Sequence, residues 1–464
     1  MEDCNGNDVY PGYVQNGFGP GHESEGVKVF RGTLVHSTKD KPMQILKNGV
    51  IGVDPSGKIL FVKDDDSLED LAAEIGFNPS VHNLTDSQFI IPGFIDTHIH
   101  APQYPNTGTK VDLPLLEWLH AYTFPLETKY SDLDFARDVY KKVVHKTLSC
   151  GTTTASYFAT IHKKASMALC DAAEYFGQRA YVGKCNSDQN VPDHYCEGTD
   201  ASLKNTEEFI KEVLGRKNPL ITPVITPRYA VACTTELMSG LGKLAQKYDL
   251  PIQSHLCESP AEVTLVSELF PQYDCYTDVY DKCGVFTNKT VMAHCVYLTE
   301  FDLDLMRERG VGVSHCPNSN LSICSGMMDA RTWLDRGLKV GLGTDVSGGY
   351  HPSMLDAIRL AIHTSNAISI QRPADYRPIS YQEAFRMATL GGAEALALDD
   401  TIGNFEEGKD FDALLIDMDS SSSRVDTFDF DSIEDLVQKF LFIGDDRNIQ
   451  EVYVCGQKVM EHGK

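Results

Sequence analysis

The middle of the chain repeats one pattern, a short β-rich run followed by a longer stretch compatible with a helix. Eight such runs occur, at residues 90–100, 152–158, 180–185, 220–228, 251–255, 290–294, 312–315 and 339–345. Alternating strands and helices predict a parallel α/β sheet, and eight units over this length predict a closed (β/α)8 barrel of the TIM type. The alternative is an open doubly wound sheet, but the glycine fingerprint of dinucleotide-binding sheets does not follow the first run.

The two ends of the chain differ in character from the middle. Residues 27–81 consist of short strand-like runs separated by turns, and residues 412–416 and 451–459 show the same pattern. We therefore expect residues 27–91 and 402–464 to form one small composite β-sandwich domain, with residues 92–401 forming the barrel. Residues 1–26 are rich in Gly and Asn, and we expect a disordered tail there.

Charge and cysteine usage limit the partners and the compartment. The chain has 41 basic and 66 acidic residues, a formal net charge of −25, which repels phosphates and anionic lipids. We therefore expect neither a nucleic acid nor a membrane as partner. The 13 cysteines contain no Cys-x-x-Cys pair, which argues against a disulfide framework and a cysteine-rich zinc module. Because the sequence also shows no secretory signal pattern, we expect a cytoplasmic location.

Metal-competent residues collect at the carboxyl ends of the predicted strands, where barrel enzymes build their sites. His98 and His100 end the first run, and side chains two residues apart on a strand face the same side. Two imidazoles directed at one point suit Zn²⁺ or another borderline divalent cation. The alternative is two unrelated loop histidines, but the strand that precedes them favours the ligand interpretation.

Three further runs end in the residues His255, His294 and Asp345. A capping-box pattern at residues 259–262 places His255 and Glu258 on a strand-to-helix connection, where both can face one pocket. We expect His255 as a third ligand, Asp345 as a carboxylate ligand and Glu258 as a general acid/base. Three of these residues also have a structural interpretation. Glu258 could be a helix N-terminal carboxylate, Asp345 a cap or turn residue, and His294 a core histidine.

These motifs resemble a known family. PGFIDTHIH at 92–100, SHLCE at 254–258, HC at 294–295 and GTD at 343–345 are similar to the mononuclear deaminases of the amidohydrolase superfamily. HAPQY at 100–104, LLEWL at 115–119, YTFPLE at 122–127 and TPRY at 226–229 are similar to those members that act on guanine. The resemblance runs from about residue 27 to the C-terminus and implies a barrel with a β domain from both chain ends.

The resemblance also implies an activity, the hydrolytic deamination of guanine to xanthine and ammonia in purine catabolism, by a homodimer. It implies one Zn²⁺ per subunit held by His98, His100, His255 and Asp345. The implied catalytic residues are Glu258, His294 and Asp345. The implied substrate contacts are His100, Ala101, Pro102, Gln103, Arg228, Tyr229, His255, Glu258 and Asp345. Gln103 and Arg228 would hold the purine edge, with the ring beside Tyr229.

Two features of this sequence bear on what the resemblance implies. Binuclear relatives use a carboxylated lysine at the end of the fourth strand, and residues 221–228 contain no lysine, so a single metal is expected. Many relatives have Phe where Tyr229 stands, and the tyrosine keeps the stacking face while adding a hydroxyl.

Two other functions stay open. One is a related deaminase or chlorohydrolase acting on another purine, a pterin, a triazine or a pyrimidine. The other is a catalytically silent barrel used as a scaffold, which the presence of all four candidate ligands disfavours.

Overall fold

The computed structural model describes residues 10–14, 26–64, 80–372, 374 and 376–462. Its strands are β1 (Lys28–His36), β2 (Gln44–Val53), β3 (Ile59–Asp64), β4 (Ser80–Asn83), β5 (Gln88–Pro92), β6 (Phe94–His100), β7 (Thr152–Phe158), β8 (Arg179–Gly183), β9 (Cys185–Asn186), β10 (Ile221–Pro223), β11 (Thr226–Pro227), β12 (Ile252–Leu256), β13 (Thr290–His294), β14 (Gly312–His315), β15 (Lys339–Leu342), β16 (Ala413–Asp417), β17 (Ile449–Val454) and β18 (Gln457–Glu461).

The α-helices are α1 (Leu115–Trp118), α2 (Phe124–Glu127), α3 (Leu133–Ser149), α4 (Lys163–Phe176), α5 (Thr199–Gly215), α6 (Thr235–Tyr248), α7 (Pro260–Leu269), α8 (Tyr276–Lys282), α9 (Glu300–Arg309), α10 (Pro317–Ser322), α11 (Ala330–Asp335), α12 (Met354–Gln371), α13 (Tyr381–Met387), α14 (Leu390–Ala395) and α15 (Ile433–Ile443). Among the described residues, none of these helices combines the length and apolarity that a membrane crossing requires.

Strands from both ends of the chain form one sheet, which we call the composite sheet. Its order is β18-β17-β16-β5-β1-β2-β3, with β4 beside β1. β16 joins the two ends, because it pairs antiparallel with both β5 and β17. The rings of Phe30, Phe411 and Tyr453 pack on this sheet with centroids 5.1 to 5.5 Å apart. The sandwich arrangement stays a prediction.

The middle of the chain forms parallel sheets. Their strand orders are β10-β8-β7-β6, β11-β9 and β12-β13-β14-β15, and every pairing within them is parallel. Helices follow most of these strands, as crossover connections require. The predicted parallel α/β class is confirmed, and each of the eight predicted runs contains a strand.

The first predicted run, 90–100, is two strands rather than one. β5 belongs to the composite sheet and β6 to a parallel sheet, and the chain changes sheets at Gly93. A Cβ atom on Gly93 would lie 2.0 Å from Thr153 Oγ1. Only glycine allows the backbone to lie this close to Thr153. At this position the Gly93 N–H donates to the Asp412 carbonyl. Hydrophobic patterning alone does not reveal such a break.

Part of the N-terminal region is attached to the composite sheet. Tyr13 pairs with Met460 of β18, and the Val14 N–H donates to the Val459 carbonyl over 3.1 Å. Of the tail expected over residues 1–26, residues 1–9 and 15–25 lie outside the described residues. A chain segment expected to be disordered thus includes at least one ordered piece.

Arg179, at the start of β8, ties a parallel sheet to the composite sheet. Its Nε donates to Asp412 Oδ2 over 3.1 Å and its Nη2 to Asp410 Oδ2 over 2.7 Å. All three residues are buried. Because a buried charge is costly unless it is paired, these contacts fix the relative position of the two sheets.

Candidate active site

Four buried side chains meet at the carboxyl ends of β6, β12 and β15; we call them the ligand cluster. His98 Nε2 lies 3.2 Å from Asp345 Oδ1, and His100 Nε2 lies 3.6 Å from the same oxygen. His255 Nε2 is 3.0 Å from His100 Nε2. The structure therefore brings together all four residues that the sequence suggested as ligands.

The chemistry of this cluster fits a divalent cation. Burial lowers the pKa values of His98, His100 and His255, so the three imidazoles are neutral and can offer lone pairs. One nitrogen of each lies within 4.8 Å of the other two. Neutral imidazoles with one carboxylate suit a metal of the zinc type, so the site supports a metal cofactor.

Left-handed backbone at two strand ends aims the side chains of the site. The φ angles are 71° at His294, 50° at Cys295 and 45° at Asp345, values uncommon for residues other than glycine. Backbone hydrogen bonds hold both turns, since Cys295 N donates to Leu256 O and Asp345 N donates to His98 O, each over 2.9 Å. Such strained turns cluster at functional sites, where the surrounding fold overdetermines them.

Asp96 holds the Asp345 turn against the strand that carries the histidines. Its Oδ1 accepts from the backbone N–H groups of Thr344, over 3.0 Å, and His98, over 3.2 Å. Its Oδ2 accepts from the Thr344 hydroxyl. The buried carboxylate of Asp96 thus locks β6 and the turn after β15 in one register.

Glu258 and His294 lie beside the ligand cluster. His294 Nε2 is 3.3 Å from Glu258 Oε2 and 3.8 Å from Asp345 Oδ2. His294 Nδ1 lies 2.9 Å from Asn320 Oδ1, an oxygen that can only accept, so Nδ1 carries a hydrogen. Ser325 donates to Glu258 Oε1 over 3.2 Å.

Burial and neighbouring charge set the protonation of this group. Burial raises the pKa of Glu258 to about 8, and His294 only partly opposes that shift. Burial lowers the pKa of His294, but the charges of Glu258 and Asp345 raise it more. Burial raises the pKa of Asp345, but His98 and His294 bring it down to about 2. The site therefore holds one carboxyl group that keeps its proton and one that loses it.

The predicted capping box is confirmed, and it explains the position of Glu258. Ser259 Oγ accepts from the Glu262 N–H over 3.2 Å, and the Glu262 carboxylate accepts from the Ser259 N–H. Glu262 also accepts from the Glu258 N–H over 2.8 Å. Helix α7 therefore begins at Pro260, and Glu258 is fixed in the short link after β12.

A small cavity opens onto the ligand cluster. The predicted residues that line it are His100, Gln103, Arg228, Tyr229, His255, Glu258, His294 and Asp345. An apolar wall of Leu115, Trp118, Leu119 and Ile323 faces them. Apolar walls with a few converging polar groups are typical of small-molecule sites.

Ala101 and Pro102 are not in the cavity wall, although the resemblance suggested them as substrate contacts. Both are buried in the 3-10 turn Ala101–Asn106, and the Pro102 carbonyl accepts from the Tyr130 hydroxyl over 2.8 Å. Gln103 is the next residue of that turn. Ala101 and Pro102 therefore affect the site indirectly, because they belong to the turn that positions Gln103.

Sequence reasoning did not assign roles to three residues that contact the site. Glu127 forms a two-point ion pair with Arg228, at 2.7 and 3.1 Å. Asn320 orients His294, and Ser325 contacts Glu258. Glu127 does lie in the YTFPLE segment that carried part of the resemblance, but no local spacing indicates its partners.

Comparison with known proteins agrees with this geometry. A profile of the amidohydrolase family matches residues 89–459. A guanine deaminase of Mus musculus is 50% identical over 439 residues, 93% of this chain and 96% of that protein. One of Dictyostelium discoideum is 44% identical over 93% of this chain and 98% of its own length. A crystal structure of guanine deaminase from C. acetobutylicum with bound guanine in the active site matches with a TM-score of 0.87 and 39% identity, over 94% of this chain and 100% of that one. This chain therefore belongs to the amidohydrolase family, and its similarity within that family is to guanine deaminases.

Proposed function

We propose that this protein hydrolyses guanine to xanthine and ammonia, a step of purine catabolism. The observation that carries the proposal is a cavity with a three-histidine, one-carboxylate cluster on one side and the donors Gln103 and Arg228 on the other. The relative from C. acetobutylicum, crystallised with guanine in its active site, supports the same substrate.

The metal we propose is one Zn²⁺ per subunit, held by His98, His100, His255 and Asp345. Three neutral imidazoles and a carboxylate are the support for this assignment. When bound, such an ion acts as a Lewis acid and lowers the pKa of a coordinated water toward about 7.

Glu258, His294 and Asp345 carry the proton transfers in this proposal. Asp345 is ionised, so it accepts a proton from the attacking water, and His294 beside it orients that carboxylate. Glu258 is protonated near neutral pH, so it can donate a proton to N3 of guanine and make C2 more electrophilic. The ionised Glu258 then takes the proton of the hydroxyl formed at C2 and passes it to the amino group, which leaves as ammonia as its C–N bond breaks. The proton held by Asp345 returns to Glu258 and restores the starting state.

Gln103 and Arg228 bind the purine edge in this proposal, and Tyr229 packs beside the ring. Arg228 has only donors, so it donates to the carbonyl oxygen of guanine and disfavours adenine, which places an amino group there. Ala101 and Pro102 belong to the substrate site through the turn that carries Gln103. The remaining contacts, His100, His255, Glu258 and Asp345, border the carbon that reacts.

For the fold, we propose that the parallel strands close into a (β/α)8 barrel spanning residues 92–401. Backbone hydrogen bonds between the separate sheets support closure, since Gln253 N donates to Ile225 O and Asp345 N to His98 O, each over 2.9 Å. Residues 27–91 and 402–464 form the second domain, a β-sandwich.

We further propose a homodimer in the cytoplasm. The twelve cysteines of the described residues are all free, as a reducing compartment favours. The stacked and exposed rings of Phe428 and Phe430, with centroids 5.3 Å apart, support a self-contact. Sedimentation velocity distinguishes a dimer from a monomer.

The test of the proposed function is incubation of purified, zinc-loaded protein with guanine, following the ultraviolet change to xanthine and the released ammonia. Adenine, cytosine, a pterin and a triazine are assayed in parallel. Preferred turnover of guanine supports the proposal. Preferred turnover of another substrate would move the protein to a related deaminase or chlorohydrolase, and no turnover at all would favour a scaffold.

A further inference from the structure

Glu127 lies behind the cavity wall and contacts both residues assigned to the purine edge. It ends helix α2 and has no exposed surface. Its Oε1 accepts from Gln103 Nε2 and Arg228 Nη2, each over 3.1 Å. Its Oε2 accepts from Arg228 Nη1 over 2.7 Å and from the Tyr195 hydroxyl. One buried carboxylate therefore receives four donors, two on each oxygen, and cannot rotate without losing some of them.

The ion pair with Glu127 fixes the plane of the Arg228 guanidinium. Both terminal nitrogens bind the carboxylate, and the guanidinium carbon sits 5.0 Å from the centre of the Phe124 ring. A bidentate pair uses two of the five N–H groups and sets the direction of the others. Because Arg228 lines the cavity, the direction of its remaining donors is set by a residue that the substrate does not touch.

Glu127 also fixes which way the Gln103 amide faces. An amide can turn over and exchange its oxygen for its nitrogen at little cost in shape. Here Nε2 donates to Glu127, and Oε1 accepts from the Ser347 N–H over 3.3 Å. An acceptor-only group on one side and a donor on the other permit a single orientation. Gln103 therefore presents a defined pattern of donor and acceptor to the cavity.

We infer that Glu127 is a positioning residue that determines substrate specificity, because it fixes the hydrogen-bonding pattern that Arg228 and Gln103 offer to the purine edge. This inference rests on the proposed function. It assigns to Glu127 no contact with substrate and no part in the chemical step. Loss of its charge should weaken recognition of the purine oxygen far more than it slows the reaction of bound substrate.

The test is the variant Glu127→Gln, assayed with guanine and with 2,6-diaminopurine. The two compounds share the C2 amino group, but the second carries an amino group where guanine has its oxygen. An amide at this position keeps the shape but directs an NH₂ group at donors. We expect the KM for guanine to rise about tenfold or more with a smaller change in kcat, and the preference for guanine over 2,6-diaminopurine to fall by a similar factor.

Two further variants make the test decisive. Glu117→Gln makes the same chemical change at an exposed position nearby and should leave both substrates unaffected. Tyr195→Phe removes one of the four donors and should lower the preference for guanine by a smaller factor. Thermal unfolding and metal content show whether each variant is folded and loaded, and if Glu127→Gln does not fold, Tyr195→Phe decides the question.

The outcomes separate this inference from the proposed function. No guanine turnover by the wild-type protein would overturn the proposed function and the inference with it. Normal wild-type turnover with an unchanged guanine preference in the folded Glu127→Gln variant would overturn the inference alone. An equal loss on both substrates would also overturn it, because that result indicates general damage to the site.

Discussion

Replacing Glu258 by glutamine tests the proton donor of the proposed reaction. The substitution keeps the size of the side chain and an oxygen that can accept from Ser325, but it removes the transferable proton. With a pKa of about 8, Glu258 is about nine-tenths protonated at pH 7. A positioned general acid contributes about 10²-fold to 10⁴-fold, so kcat should fall at least about 100-fold, equivalent to about 2.7 kcal/mol in the barrier.

The assay compares steady-state kinetics of the wild type, Glu258→Gln and the control Glu268→Gln, an exposed glutamate on the following helix. Metal content and KM should change little in either variant. Because the acid acts in its protonated form, the wild-type kcat/KM should decline as pH rises above the pKa of Glu258, and Glu258→Gln should lack that decline. Turnover near the wild-type value, or an unchanged alkaline decline, would refute the assignment of Glu258 as the acid.

Three other predictions follow from buried groups. Arg179→Met leaves the buried Asp412 without its cation and Asp410 with Lys58, so urea denaturation should show a loss of about 3 to 5 kcal/mol in the free energy of unfolding, against almost none for the exposed Arg137→Met; similar losses in the two variants would contradict the proposed role of Arg179 in joining the two sheets. Burial lowers the pKa of His36 to about 4, so the folded protein keeps this side chain neutral and loses stability as pH falls from 6.5 toward 4. Between pH 7 and 5, the free energy of unfolding of His36→Gln should therefore fall by about 2 kcal/mol less than that of the wild type. Parallel pH profiles of the two proteins would refute this. His255→Ala removes a candidate ligand, so metal analysis after dialysis should find a much smaller metal content than in the wild type, and full retention would exclude His255 as a ligand.

The parts of the fold and site that follow a simple period could be predicted from the sequence. His98 and His100 face one side of a strand because side chains alternate, and parallel strands bring their carboxyl ends, and with them His255 and Asp345, to one edge. The helix start after Glu258 was predicted for a similar reason, since a capping box is a local pattern of four residues.

The parts that depend on tertiary contacts could not be predicted. Glu127 is 101 positions from Arg228, and nothing in its own segment indicates an arginine partner. The break at Gly93 depends on how close Thr153 approaches, and the left-handed turn at Asp345 depends on hydrogen bonds from another strand. The ion pair, the break and the turn all depend on distances between elements that are far apart in the chain. A single sequence does not give those distances.

We propose that a metal held by the ligand cluster makes this protein a guanine deaminase. The most direct measurement follows guanine loss, xanthine and ammonia in one preparation before chelation, after chelation and after zinc is restored, with metal content determined at each stage. We expect about one zinc per chain, equal amounts of xanthine and ammonia, loss of turnover when the metal is removed, and recovery when zinc is restored. Full turnover by metal-free protein, or intact guanine in the presence of fully loaded protein, would contradict this proposal.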